Sequence, residues 1–198
     1  MKIKKKTIPS TKERLLDAGL EMMHSFGYRA TGIQGVLSSA DVPKGSFYNY
    51  FKSKEDFGLE VLDRYIELQG PIGMKHMADL KRPPLKRLKG FFDEFIALYK
   101  INPSCGCLLG NFAQELSDGD HVFRKKLAGV FTAWIDSVED CLLEAQKNNE
   151  LSKRQDPRKL AEFCISGWEG SLIQMKLQKS VEPLESFVDI LFSSVLKK

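Results

Sequence analysis

Thr31 to Phe57 reads TGIQGVLSSADVPKGSFYNYFKSKEDF, which packs two short helical patterns, a tight connection and a third helix start into one span, the shape of a helix-turn-helix. In the first pattern Ile33, Val36, Leu37 and Ala40 share one face at i, i+3, i+4 and i+7, and Thr31 with Gln34 has the spacing of a capping box. In the second, Phe47 and Phe51 lie one turn apart and point inward, leaving Lys44, Ser46, Tyr48 and Asn49 outside. That outer run carries lysine, hydroxyl, aromatic and amide groups and no acid, which suits a phosphate-flanked groove.

On the N-terminal side a helix is expected from Thr11 to Phe26, with Ser10 and Glu13 as a capping box and Leu15, Gly19, Met22 and Phe26 as a stripe, ended by Gly27. Before it, Lys2, Lys4, Lys5 and Lys6 form an arm that is either a solvated tail or a tracker of phosphates or the minor groove. On the other side Ser53 and Asp56 cap a helix expected to run from Lys54 to Gln69 and to close at Gly70-Pro71. Further helical patterns cover Leu85 to Lys100, the segment SCGCLLGNFAQEL, His121 to Asn148, Asp156-Pro157 to Lys179 and Glu182-Pro183 to Leu196. No stretch alternates with period two. The expected fold is all-α with about nine helices: a DNA-binding head over residues 1–53 and an effector-binding and dimerisation domain over residues 54–198.

The chain has 198 residues, 42% of them hydrophobic, enough for a packed core. Its net charge of +4 is unevenly spread: residues 1–60 hold ten Lys/Arg against seven Asp/Glu, and the remainder is nearly balanced. The positive excess therefore lies with the helix-turn-helix, as a polyanionic partner requires. Cys105, Cys107, Cys141 and Cys164 are too few and too unevenly spaced for a secreted disulfide framework, so reduced thiols in a cytoplasm are expected. The basic N-terminus leads into no apolar signal region, and no apolar run is long enough to span a bilayer. His24, His76 and His121 are far apart, so no metal site and no cofactor is expected. A helical enzyme is disfavoured because no nucleophile–base pair, paired carboxylates or phosphate loop stands at motif spacing.

A DNA-reading head followed by a linking helix and five or six longer helices resembles the TetR family of bacterial transcriptional regulators. The resemblance is carried by FGYRATGIQGVLSSADVPKGSFYNYFKSKEDF, with its Gly-Tyr-x-x-Thr entry and its Lys-Gly-x-Phe-Tyr-x-x-Phe recognition helix leading to Ser-Lys-Glu. Gly35 stands where the family more often has a larger polar residue. GCLLGNFAQELSD and LQKSVEPLESF are similar to the NemR- and AcuR-like branch of that family. This implies a homodimer that binds double-stranded operator DNA and responds to a small reactive or unsaturated effector. It further implies a sensing cysteine at Cys107 and a lysine at Lys176.

Expected DNA contacts are Thr31, Gln34, Lys44, Gly45, Ser46, Tyr48, Asn49, Tyr50 and Lys54. The lysines and helix-start N–H groups suit phosphates, and Asn49 with Tyr48 suits base edges. Tyr50 is open between packing and phosphate contact, and Gly45 would let the helix approach the backbone closely. Cys107, near the start of a short helix behind Pro103, sits where N-terminal dipoles favour a thiolate, although a small buried core residue is the competing reading. Phe95, Phe112, Trp134 and Trp168 are core aromatics of which some should line an effector cavity. Ser166, Gly167, Gly170 and Ser171 make a small-residue surface on the penultimate helix, the candidate dimer interface. A reversible ligand in place of a reactive one, and a metabolite-binding scaffold that has lost DNA binding, are the alternatives.

Overall fold

Ser10 accepts a hydrogen bond from the Glu13 N–H while the Glu13 carboxylate accepts from the Ser10 N–H at 2.7 Å, so the expected capping box starts helix α1, Thr11–Phe26. A computed structural model describes residues 9–101 and 103–198; the lysine arm at Lys2, Lys4, Lys5 and Lys6 lies outside them. Among the described residues there are nine helices and no strand. After α1 come α2 (Ile33–Ser39), a 3-10 helix (Lys44–Asn49), α3 (Lys54–Met77), α4 (Pro84–Tyr99), α5 (Leu108–Leu116), α6 (His121–Lys147), α7 (Pro157–Gln178) and α8 (Glu182–Ile190). A π-helical turn, Leu191–Val195, continues the last helix.

The chain divides into two compact units between Ile66 and Glu67, inside α3. In the first unit, the buried face of α1 is Leu15, Ala18, Gly19 and Met23. Phe26, expected on that stripe, is 68% exposed. Val36 and Leu37 of α2 meet this face together with Phe47, Phe51, Phe57, Val61, Leu62 and Tyr65. The first three turns of α3 thus belong to the head, which places the division beyond residue 53. Gly19 is required for the approach: an added Cβ would collide with the Phe57 ring. Gly35 gives room to the Met22 side chain, whose methyl would lie 2.9 Å from an added Cβ. That contact is what the departure from the family pattern accommodates.

The turn after α2 is a Schellman closure, with the Asp41 N–H donating to Ser38 at 3.2 Å and the Val42 N–H to Leu37 at 3.0 Å. Asp41 takes the left-handed conformation, φ 51°, that glycine usually fills. Arg14 crosses from α1 and donates to the carbonyls of Ala40 and, at 2.7 Å, Asp41. A charge-assisted donor therefore holds the loop that orients the 3-10 helix.

The second unit buries Leu88 and Phe92 of α4, Leu108, Leu109 and Phe112 of α5, Phe123, Leu127, Val138 and Leu142 of α6, and Cys164, Trp168, Leu172 and Met175 of α7. Asp120 and Asp156 cap α6 and α7 as N-terminal acceptors. Arg158 gathers Asp136, Glu139 and Glu162 and so ties α7 to α6. Cys141 and Cys164 are packing residues, and all four cysteines are free thiols.

The linking helix does not stop at Gly70-Pro71; it continues to Met77 with Pro71 inside it. Pro71 is exposed, and Gly73 lies buried where an added Cβ would strike the Phe91 ring. Packing on α4 outweighs the lost hydrogen bond.

Two substitutions in the turn have opposite expected signs. Arg14→Ala lowers the stability of the head by about 1–3 kcal/mol, because two carbonyls lose a charged donor. Asp41→Gly raises it by about 0.5–1 kcal/mol by removing the left-handed penalty. Native-state hydrogen exchange at the α2 amides reads both, and a loss of protection in Asp41→Gly would refute this account of the turn.

Candidate nucleic-acid interface and thiol site

The reading element is the 3-10 helix. Its inward side is Phe47, fully buried, with Phe51 just beyond it. The rings of Phe47, Phe51 and Phe57 stand 4.8–5.2 Å apart by centroid, a three-ring wedge under the reading surface. Lys44, Gly45, Tyr48, Asn49 and Tyr50 are exposed and Ser46 is half-buried, so the expected outer set is open to solvent. Tyr48 is 67% exposed, and nothing lies within 4 Å of where a Gly45 Cβ would be. Gln34 is exposed on α2.

Of the other expected contacts, Thr31 turns inward and Lys54 is already engaged within the head. Thr31 is 1% exposed, and its hydroxyl donates to the Gly27 carbonyl at 2.8 Å. It forms no cap with Gln34: the N-cap of α2 is Gly32, which makes no side-chain cap. Thr31 thus fixes the α1–α2 turn and has no side chain to offer DNA. Lys54 donates to the Arg29 carbonyl at 3.2 Å and lies over the Tyr28 ring at 4.6 Å, so its ammonium already braces that same turn. Asp56 N–H donates to Ser53, while the Asp56 carboxylate takes the Lys52 N–H, a capping arrangement shifted by one residue from the expected box.

The second site is built on α5. Cys107 is its N-cap, and its sulfur accepts from the Gly110 N–H at 3.5 Å, as a thiol at a helix start should. The expected consequence, a readily formed thiolate, is not what the surroundings give. Cys107 is 6% exposed, and burial pushes its thiol far above the ordinary range. The Glu169 carboxylate of α7 pushes the same way, and together they outweigh the N–H groups of Gly110 and Leu109. Glu169 is itself pushed up to about 7 by burial. It sits directly over Gly110, where an added Cβ would collide with its Oε2.

Lys176, two turns further along α7, lays its stem over Gly106, which has φ +68° and would crowd Lys176 Cδ at 2.9 Å with any Cβ. The Lys176 ammonium donates to Asn111 Oδ1 at 3.2 Å, and Asn111 Nδ2 donates to the Cys105 carbonyl at 3.1 Å. Tyr99 of α4 donates to the Gly106 carbonyl at 3.3 Å. The structure therefore brings Lys176 to the Cys107 loop and adds Glu169, which was not expected. The signal for it was present: Ile165, Trp168, Leu172 and Met175 form the buried stripe of α7, and position 169 falls within it.

Each of the four aromatics meets a neighbouring ring. Phe112 meets Phe123 at 5.9 Å, Trp168 meets Phe92 at 5.0 Å, Trp134 meets Phe131 at 5.3 Å, and Phe95 meets Phe91 at 5.0 Å. A groove of about 530 Å³ between α4 and α8 is lined by Ile96, Val188 and Phe192 with charged residues around them, and by none of these four. The small-residue set also divides. Gly167 faces α8 of the same chain, where an added Cβ would strike Phe187, and Ser171 donates to the Gly167 carbonyl at 2.8 Å. Ser166 and Gly170 remain on the outer face. They lie in an exposed stripe with Phe163, Ile173 and Leu177 at alternating spacings of three and four.

A three-helix head with a basic, acid-free reading element, joined to a helical unit, defines a DNA-binding transcriptional regulator. Residues 15–61 match the family model for bacterial regulatory proteins of the tetR family, and residues 84–191 match the tetracyclin repressor-like C-terminal domain. The chain belongs to the TetR family and is a regulator, not an enzyme. It is 34% identical to the HTH-type transcriptional repressor DhaR of Mycobacterium sp. strain GP1, over 93% of this chain and 92% of that one. It is 38% identical to the transcriptional regulator AcuR of Cereibacter sphaeroides, over 88% and 80%. The reduced form of Escherichia coli NemR superposes with a TM-score of 0.78 at 26% identity, over 95% and 98%.

Glu169 makes stability depend on pH. Its folded value, about 7, lies above the ordinary 4.5, so the folded chain holds this proton more tightly. The resulting stabilisation is complete below about pH 4.5, is lost as pH rises through 7, and stays lost above it. Glu169→Gln, which cannot ionise, is therefore expected to gain on the wild type between pH 5 and 8 by up to roughly 3 kcal/mol. Denaturant unfolding at the two pH values measures the difference, and equal stability changes in both proteins would contradict it.

Proposed function

We propose that the chain is a homodimeric cytoplasmic repressor that binds a palindromic operator and is released from it by a small molecule. The observation that carries DNA reading is the exposed face of Lys44, Gly45, Tyr48, Asn49 and Tyr50, with Ser46 at its edge and Gln34 beside it, held on a buried aromatic wedge. Lys44 and the N–H groups at the start of the reading element address phosphates, and Tyr48 and Asn49 address base edges. The repressor role is supported by the names of the relatives DhaR and NemR.

Dimerisation is supported by the exposed stripe Phe163, Ser166, Gly170, Ile173 and Leu177 on α7, with Ile190 exposed on α8. Small residues between large apolar ones let a second helix approach closely. Two-fold symmetry then calls for half-sites about one helical turn, ~34–36 Å, apart or a multiple of it. An effector that binds better when the heads are wrongly spaced draws the population away from the operator.

For the effector, the favoured reading is a reactive electrophile sensed at Cys107. The support is the loop itself: a thiol at a helix start, Lys176 laid over Gly106, and the Glu169 carboxylate over Gly110. A second reading, reversible ligand binding without a covalent step, is favoured by the burial of Cys107 and its raised thiol.

Titrating the full chain with duplexes across salt concentration tests the first claim. Affinity should require both half-sites and fall steeply with salt, and Lys44→Ala should lower the salt slope by about one per subunit. Binding that ignores the palindrome or the salt would refute operator recognition. Cys107→Ser should abolish release by an electrophile under the covalent reading and leave it nearly intact under the reversible one.

A further inference from the structure

A cation serves DNA binding at no cost only if no group of the protein already holds it, and several cations of the head are held. Lys12 lies 2.6 Å from Glu60 and Arg64 lies 3.0 Å from Asp17. Arg14 donates to the carbonyls of Ala40 and Asp41, and Lys54 to the carbonyl of Arg29. Lys44 and Lys52 differ: both are exposed, and the ammonium of neither meets an acid or a carbonyl among the described residues. Lys44 opens the reading element, whereas Lys52 stands past its other end, three residues beyond Asn49.

The backbone of Lys52 is fixed from both sides. Phe51 before it is 1% exposed in the ring wedge, and the Phe51 N–H donates to the Phe47 carbonyl at 3.1 Å. The Lys52 N–H donates to the Asp56 carboxylate at 2.9 Å, which ties the residue to the first turn of α3. Asp56 meets that N–H and forms no ion pair with the Lys52 ammonium. Glu55 and Asp56, the acids of that turn, complement the N-terminal dipole of α3. A fixed backbone under a free ammonium suits a phosphate contact: the root limits where the charge can reach, and no bond within the head has to break.

We propose that Lys52 holds a DNA phosphate at the opposite end of the reading element from Lys44. This rests on the reading of the chain as an operator-binding regulator and adds the residue that fixes the second end of the element. The lengths agree. A 3-10 helix of six residues, at about 2 Å per residue, is roughly 10–12 Å long, and the major groove of B-DNA is about 12 Å wide. Lysines at the two ends therefore reach the phosphates that flank the groove, while Tyr48 and Asn49 between them address base edges. One phosphate contact leaves the element free to pivot, and two set its register.

The test measures the affinity of the full-length protein across salt concentration for two duplexes. One is enriched by the wild type from random-sequence DNA, and the other is a scrambled duplex of the same length and composition. Lys52→Ala should flatten the slope of log affinity against log salt by about one per subunit on both duplexes. For a two-fold complex, the loss of affinity between about 50 and 200 mM salt then becomes roughly tenfold smaller than in the wild type. The preference for the enriched duplex should not change, because a phosphate contact carries no sequence information. Lys52→Arg should restore the slope, and thermal unfolding of both variants should match the wild type. An unchanged slope in Lys52→Ala would overturn the inference. A loss confined to the enriched duplex would overturn it too, since Lys52 would then read bases. In either case a wild type that binds the enriched duplex with steep salt dependence keeps the operator reading. A wild type that enriches no duplex would sink that reading, and this inference with it.

Discussion

The head depends on the three-ring contact of Phe47, Phe51 and Phe57. A 3-10 helix of six residues has poor hydrogen-bond geometry and no stability of its own. It keeps its shape because Phe47 and Phe51 are driven into the space between α1 and α3. Gly19 opens that space by letting Phe57 lie against α1. Arg14 and the Schellman turn at Asp41 then set the direction from which the chain enters. The outer residues are left to solvent as a consequence, since Lys44, Tyr48 and Asn49 are what remains once the two phenylalanines are buried.

The same competition between local and tertiary forces decides the chemistry at Cys107. Helix-start N–H groups stabilise a thiolate by an amount that falls off within the first turn. Removing the sulfur from water and placing a carboxylate against it act on the full charge. Burial wins, and the thiol is protonated.

Much of this was legible in the sequence, and the failures share a cause. The helices, the Ser10–Glu13 box and the inward pair Phe47 and Phe51 follow from spacing of 3.6 residues and from short-range hydrogen bonds, which the sequence carries directly. Thr31 was misplaced because a threonine before a helix can cap it or bond backward to Gly27, and only the turn geometry selects. The helix past Pro71 depended on Gly73 meeting Phe91 of another helix. Gly167 was read as an outer residue because a small side chain signals close approach without saying to which neighbour, and the neighbour is Phe187 of the same chain. Glu169 was missed because its meaning lies in the sulfur it faces, some sixty positions away in sequence.

The division of the small-residue set sharpens what the outer face of α7 can do. With Gly167 and Ser171 committed to the chain's own packing, Ser166 and Gly170 stand between Phe163, Ile173 and Leu177, all substantially exposed. Single exposed apolar residues are ordinary on a soluble protein, but five positions in register along a helix form a continuous seam. A reading element of six residues makes few phosphate contacts, and each contributes a salt-sensitive increment to affinity. In the proposed dimer, joining two heads turns the second contact into an intramolecular event, so the seam on α7 and the reading face, although more than a hundred residues apart, would act on one quantity: the affinity for a paired site.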